Sequence, residues 1–242
     1  AEGFQAHFAE AFALREEELP EGLSRRREPG EKGRATISSR VWTSEAADGP
    51  IRRLRITLVD NGKQLQAFNA VVYPSHALGP LPVLGADVLS FGNHARLLFG
   101  VDWAPLELSS EYAEENIGAH LADVVERNAE LYTAPSGKFY GERPEFFSPH
   151  MFLSKPSGSA ALRPDAELWG VFVEYCERYS ARLRLAGEQA EASRERAEVR
   201  QAAYDKWHAE RDPAMPIFRK LFGEDWTEEF IGRVLFPGSR GP

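Results

Sequence analysis

The chain has 242 residues, 43% of them hydrophobic and 11% aromatic, enough for one large core, and no shift in composition divides it, so a single domain over residues 1–242 is expected. A formal charge of −8 argues against a nucleic-acid binder, and the one cysteine, Cys176, excludes an internal disulfide and a cysteine-held metal cluster. No apolar run approaches the ~20 residues of a membrane helix, so a soluble protein is expected.

Phe4, His7, Phe8, Ala11, Phe12 and Leu14 recur at helical spacing and predict an amphipathic helix over residues 3–18, stopped by Pro20 and Gly22. Ala1 in place of Met fits either a trimmed expression product or a mature chain freed of a leader. Residues 25–34, with Pro29, Gly30 and Gly33, read as a polar loop. Strands are predicted over residues 37–43 and 52–59, joined by the turn Asp48-Gly49-Pro50. In the second strand Arg53, Arg55 and Thr57 alternate with Leu54, Ile56 and Leu58, and Asp60-Asn61-Gly62 is a hairpin signal.

Three apolar runs follow, at residues 64–73, 82–91 and 95–101, broken at Pro74-Ser75, Gly79-Pro80 and Gly92-Asn93. Connections this short make neighbouring strands antiparallel, so the sheet is a meander. Asp87 stands in the most apolar of the runs, among Val83, Leu84, Val88 and Leu89. A carboxylate there is a solvent-facing or turn residue, or it looks over a lined cavity, because burial without a partner is costly.

Beyond Pro105 the pattern turns helical, with Tyr112, Ile117, Leu121, Val124, Val125 and Leu131 on one face. Residues 135–149 read as a loop, 146–155 as a short strand, and 166–185 and 190–210 as helices, the last carrying Tyr204 and Trp207. Strands early and helices late imply an α+β fold, an antiparallel sheet with helices on its faces. No GxGxxG follows a strand, which removes support for a dinucleotide-binding unit. His76, His94, His120, His150 and His208 lack metal-ligand spacing and read as surface or packing residues. Asp212, before Pro213, has the form of an ordinary helix N-cap.

Two blocks carry a resemblance. PLPVLGADVLSFG followed by LLFGVDWAPL, and later AAYDKWHAERDPAMPIFRKLFGEDWTEEFIGRVLFP, resemble the central hairpin and the closing region of the ferredoxin-dependent bilin reductases, in that order, over roughly residues 51–237. The resemblance implies a three-layer α/β/α sandwich around a central antiparallel sheet. It also implies a linear tetrapyrrole substrate held between sheet and C-terminal helices, no tightly bound cofactor, and single electrons taken from reduced ferredoxin. Asp87 and Asp212 would be the catalytic proton donors, on opposite walls of one pocket, serving a radical mechanism.

Asn69 takes the place of a His found in the phycocyanobilin-forming members, whose Glu in the preceding strand is also missing here, so the resemblance implies a single two-electron reduction. Phe68 and Phe91 would face the pigment. Lys155 and Arg211 would clamp a propionate, or are simply solvated ends of a strand and a helix. The wording Gly-Ala-Asp-Val-Leu-Ser-Phe-Gly is most similar to members that reduce the A-ring diene of 15,16-dihydrobiliverdin to phycoerythrobilin. The alternatives are reduction of biliverdin to 15,16-dihydrobiliverdin, and a bilin carrier without redox activity. The expected protein is a monomer of the plastid stroma or the cyanobacterial cytoplasm, docking ferredoxin on Arg25, Arg26, Arg27, Arg34, Arg40, Arg52 and Arg53.

Overall fold

A computed structural model describes residues 1–30, 33–140, 145–157 and 166–240; the side chain of Arg34 and residues 141–144 of the expected loop lie outside the described residues. The core is one antiparallel sheet built from β1 (Leu14–Glu17), β2 (Arg25–Gly30), β3 (Gly33–Ser44), β4 (Ile51–Asp60), β5 (Leu65–Pro74), β6 (Val83–Phe91), β7 (Arg96–Ala104) and β8 (Phe152–Ser154). The strand order is β1-β3-β4-β5-β6-β7-β8, with β2 also on β3, so the expected meander runs from β3 to β7. Its hairpins are set by the turn chemistry read from the sequence: Gly62 is left-handed at φ 57°, and its N–H donates to Asp60 Oδ1 at 2.9 Å.

Helices cover both faces, giving the three layers expected. On one face α1 (Glu2–Ala11), α3 (Ala119–Arg127) and α5 (Ala166–Leu185) bury Phe4, Phe8, Leu121, Phe172 and Tyr179 against Leu54, Ile56, Val72, Phe99 and Trp103 of the strands. On the other, α6 (Glu191–Arg211), α7 (Met215–Phe222) and α8 (Glu224–Phe230) bury Tyr204, Phe218, Phe222 and Phe230 against Ile37, Val59, Val71 and Val83. Each strand serves both layers because successive side chains point to opposite faces. No described helix is long and apolar enough to cross a membrane.

Three elements differ from the sequence reading. The first helix ends at Ala11; Phe12 is extended, and Leu14–Glu17 instead pairs with Ser44–Val41 of β3, where Arg40 clasps Glu16 at 2.6 Å. The stretch read as a polar loop is strand β2, paired with β3 from Arg25↔Ser38 to Gly30↔Gly33. Its arginines give a charged edge strand of the kind that blocks edge-to-edge association. The short strand expected over residues 146–155 narrows to Phe152–Ser154, and the loop before it contains α4 (Gly137–Tyr140). In all three, pairing with a sheet edge or packing nearby overrode local propensity, which is a weak determinant for short segments.

Candidate active site

The strand register sets polar side chains in rows on the face that α6 covers. Ser39, Thr57, Asn69 and Asp87 are successive cross-strand partners, and Gly100 follows Asp87. Ser39 and Thr57 hydroxyls lie 2.7 Å apart, and Asn69 Nδ2–H donates to Asp87 Oδ1 at 2.6 Å. One row further along the strands run Arg55, Val71, Gly85 and Asp102. A covered sheet face carrying this much polarity cannot close dry against helices, and between the rows and the helices lies a cavity. Its space, counted out into the solvent at the open mouth, is about 1270 Å3.

The roof is Tyr204 and His208 of α6, the Asp212–Ala214 turn, Phe218 of α7 and Phe236, and Phe139, Tyr140, Phe146 and Phe147 close one end. Asp87 rises from the floor and Asp212 hangs from the roof. The cap expected of Asp212 is not made at a helix start, because Ala214 holds the N-cap of α7; Asp212 Oδ1 accepts the Ala214 N–H at 2.7 Å in a tight turn that ends α6. Asp212 also lines the cavity.

Burial biases both acids toward the protonated form. Asp87 is raised above the ordinary carboxylate range by desolvation, against the opposing Asn69 hydrogen bond and the Arg55 charge. Asp212 is pushed up to about 6 by desolvation, with the Asp87 charge adding and the Ala214 N–H and Arg55 opposing. Asp102, which accepts both the N–H and the hydroxyl of Ser148, is raised by burial to about 7. His208 goes the other way: burial, aided by Arg55, lowers it to about 3, so its ring is neutral at pH 7. The Tyr140 phenol is held protonated by burial and by the two acids. A carboxyl whose pKa is raised holds its proton to higher pH and is better equipped to give it to a bound molecule.

Of the residues expected at a site, Asp87, Asp212 and Asn69 are brought together here. Phe68 points to the opposite face, where its ring packs edge-on against Phe4 and Phe172 at 5.8 and 6.2 Å. The even alternation that puts Asn69 over the cavity necessarily turns Phe68 away. Phe91, at the end of β6, lies under the Arg96 guanidinium rather than along the cavity. Lys155 reaches Ser136 on the exterior, and Arg211, exposed, pairs with Glu210 and stacks on Trp207. Neither lines the cavity, so neither is placed to clamp a carboxylate inside it. Among the arginines expected to dock a partner, Arg26 and Arg40 are ion-paired with Glu28 and Glu16, and Arg53 is largely buried with a bond to the Val234 carbonyl.

The sequence reading missed Arg55, Asp102 and His208. His208, expected as a surface or packing residue, lines the cavity with Nε2 lacking a hydrogen-bond partner among the described residues. Arg55 and Thr57 carried a readable signal: a polar face on a strand flanked by strands on both sides and covered by helices marks a polar interior.

The family model described as "Ferredoxin-dependent bilin reductase" matches residues 1–237. A protein of Prochlorococcus marinus (strain AS9601) named 15,16-dihydrobiliverdin:ferredoxin oxidoreductase is 32% identical over 185 residues, 76% of each chain. A protein of the same name from Gloeobacter violaceus is 29% identical over 236 residues, 97% of this chain and 92% of its own. A crystal structure of phytochromobilin synthase from tomato in complex with biliverdin superimposes with a TM-score of 0.84 at 19% identity, covering 99% of this chain and 82% of that one, a likeness of fold.

Proposed function

This chain belongs to the ferredoxin-dependent bilin reductase family, and from that premise we propose that it reduces biliverdin by two electrons across the C15–C16 bridge, giving 15,16-dihydrobiliverdin. The observation that carries the reading is the pair of carboxyls, Asp87 from the sheet and Asp212 from the helices, on opposite walls of one cavity, each biased by burial toward its protonated form. The step itself is supported by the name shared by the cyanobacterial relatives, which writes 15,16-dihydrobiliverdin as the reduced member of the couple. The sequence wording around Asp87 favours a second reading, reduction of the A-ring diene of 15,16-dihydrobiliverdin to phycoerythrobilin.

In either case one bilin, two reduced ferredoxins and two protons give one dihydro product and two oxidised ferredoxins. Ferredoxin delivers one electron at a time, so the pigment passes through a radical, and each electron calls for a proton. Asp87 gives its proton from the floor, held in orientation by Asn69; Asp212 gives the other from the roof. The protein's part is to bind, orient and protonate, since the conjugated substrate itself accepts the electrons. Neutral His208 and the Tyr140 phenol offer hydrogen bonds without competing charge.

An anaerobic assay with reduced ferredoxin and each bilin in turn tests the reading. Turnover of biliverdin to the dihydro product is expected; turnover of 15,16-dihydrobiliverdin alone would favour the second reading. Tight binding of both with reduction of neither would make the protein a carrier.

A further inference from the structure

Resting on that reading, we infer that Arg55 is a further catalytic residue: the free edge of its guanidinium binds a lactam oxygen of the bilin and holds the negative charge that each electron brings. Arg55 sits on the interior strand β4, fully buried, and lines the cavity. Its Nη1–H donates to Thr57 Oγ1 at 2.9 Å, and Thr57 is fixed in turn by Ser39 at 2.7 Å. Nε and Nη2 have no hydrogen-bond partner among the described residues. These two N–H groups point the same way on a guanidinium and form its two-pronged edge. The side chain is therefore anchored on one side and, among the described residues, unpartnered on the side made for an acceptor.

A buried cation with half its donors unmade is costly to the fold, and a dry apolar side chain would serve stability better. Asp87 and Asp212 share the cavity, and among the described residues neither hydrogen-bonds to the unpartnered edge of Arg55. The arrangement fits a residue completed by its ligand.

The shape of the cavity selects which part of the ligand. Arg55, Val71, Asp102 and Tyr204 at one end are buried, whereas Leu65 and Leu89 at the other are partly open and Pro213 and Ile217 are exposed. A linear tetrapyrrole bears its two propionates on the middle rings and its two lactam oxygens on the end rings, so coiling the pigment puts them on opposite edges. Two carboxylates belong in water, at the mouth. The lactam edge then enters first and meets Arg55.

When reduced ferredoxin passes one electron to the pigment, the radical anion carries part of its charge on the lactam oxygen. Arg55 stabilises that charge through two hydrogen bonds and keeps its own protons, as a guanidinium does. A proton from Asp87 or Asp212 neutralises the pigment, and the second electron and proton repeat the sequence.

The test compares Arg55→Gln, Arg55→Lys and Arg55→Met with the unaltered protein in three measurements. These are the dissociation constants of biliverdin and of its dimethyl ester, the single-turnover rate of anaerobic reduction, and the melting temperature without ligand. Losing a preorganised donor to a developing oxyanion slows such steps by about 10²–10³-fold. Arg55→Gln is expected to slow reduction by about 10²-fold, to weaken both pigments by the same smaller factor, and Arg55→Lys to recover part of the rate. Arg55→Met is expected to melt no lower than the unaltered protein. An unchanged rate overturns the inference, as does weaker binding confined to the free acid, which would mark a propionate clamp. Lower melting of all three variants, or failure to fold, would assign Arg55 a structural role and overturn it too. If the unaltered protein reduces no bilin, the functional reading itself has failed; if it does and the variants match it, only the role of Arg55 falls.

Discussion

On β4, Leu54 and Ile56 point into the layer made by α1 and α5, while Arg55 and Thr57, one residue along, point at α6. The same division holds on β6, with Leu84 and Ala86 against Asp87, and on β7, with Val101 and Trp103 against Asp102. The first face is close-packed and apolar. On the second gather the buried side-chain atoms that lack hydrogen-bond partners among the described residues, on Arg53, Arg55, Arg200, His208 and Thr227, and of these Arg55 and His208 line the cavity. One face of the sheet is built for stability and the other carries unsatisfied polarity, the usual mark of a site whose groups are completed by a ligand.

Substitutions can break this contrast. The largest effect is expected at Asp87→Asn, which should still bind bilin but lose about 10²–10⁴-fold in reduction rate, the range of a general acid; undiminished turnover would remove Asp87 as a donor. Leu54→Ala, on the other face of the same sheet, should cost about 2–5 kcal/mol in chemical denaturation, as a buried leucine does, with kcat per folded molecule unchanged. A loss of rate without a loss of stability there would erase the distinction between the faces.

The pH response sharpens it further. Asp212, raised from 3.8 to about 6 in the folded state, contributes stability that is full below pH ~4 and lost as pH rises through about 6; Asp102, raised to about 7, acts in the same direction. His208, lowered to about 3, acts in the opposite sense below pH ~6.5, so the check is the difference between two proteins: Asp212→Asn should remove a fall in melting temperature between pH 4 and 6 to which Asp212 contributes in the unaltered protein. The reduction rate should fall in the same window as Asp212 gives up its proton, a limb absent from the variant. Smallest of all, Lys155→Ala and Arg211→Ala should leave bilin affinity and stability within about 0.5 kcal/mol, as exposed side chains do; titration by absorbance checks this.

The central hairpins were legible because their turns are written in local chemistry: Asp60-Asn61-Gly62 and Gly92-Asn93 leave the chain few options, and the apolar runs between them match β5, β6 and β7 closely. Helix α5 was legible for a similar reason, since Leu168, Val171, Phe172, Tyr175, Tyr179 and Leu183 keep one period over its length. β1 and β2 were not, because short charged segments take their state from the strand β3 that they meet. Among site residues, Asp87 stood out as an acid in an apolar run. Phe68 and Phe91, expected against the pigment, did not stand out in this way, because aromatic character says nothing of which face a strand residue occupies.

The sequence by itself determined the strand alternation, the turn positions and the family. Only the tertiary structure decided which alternating face is covered by α6 and α7, and so whether a polar stripe such as Arg55 and Thr57 meets water or encloses a cavity. Alternation is a local property of the pleated backbone, whereas the burial that shifts Asp87, Asp102, Asp212 and His208 arises from elements more than a hundred residues apart in the chain closing over one another.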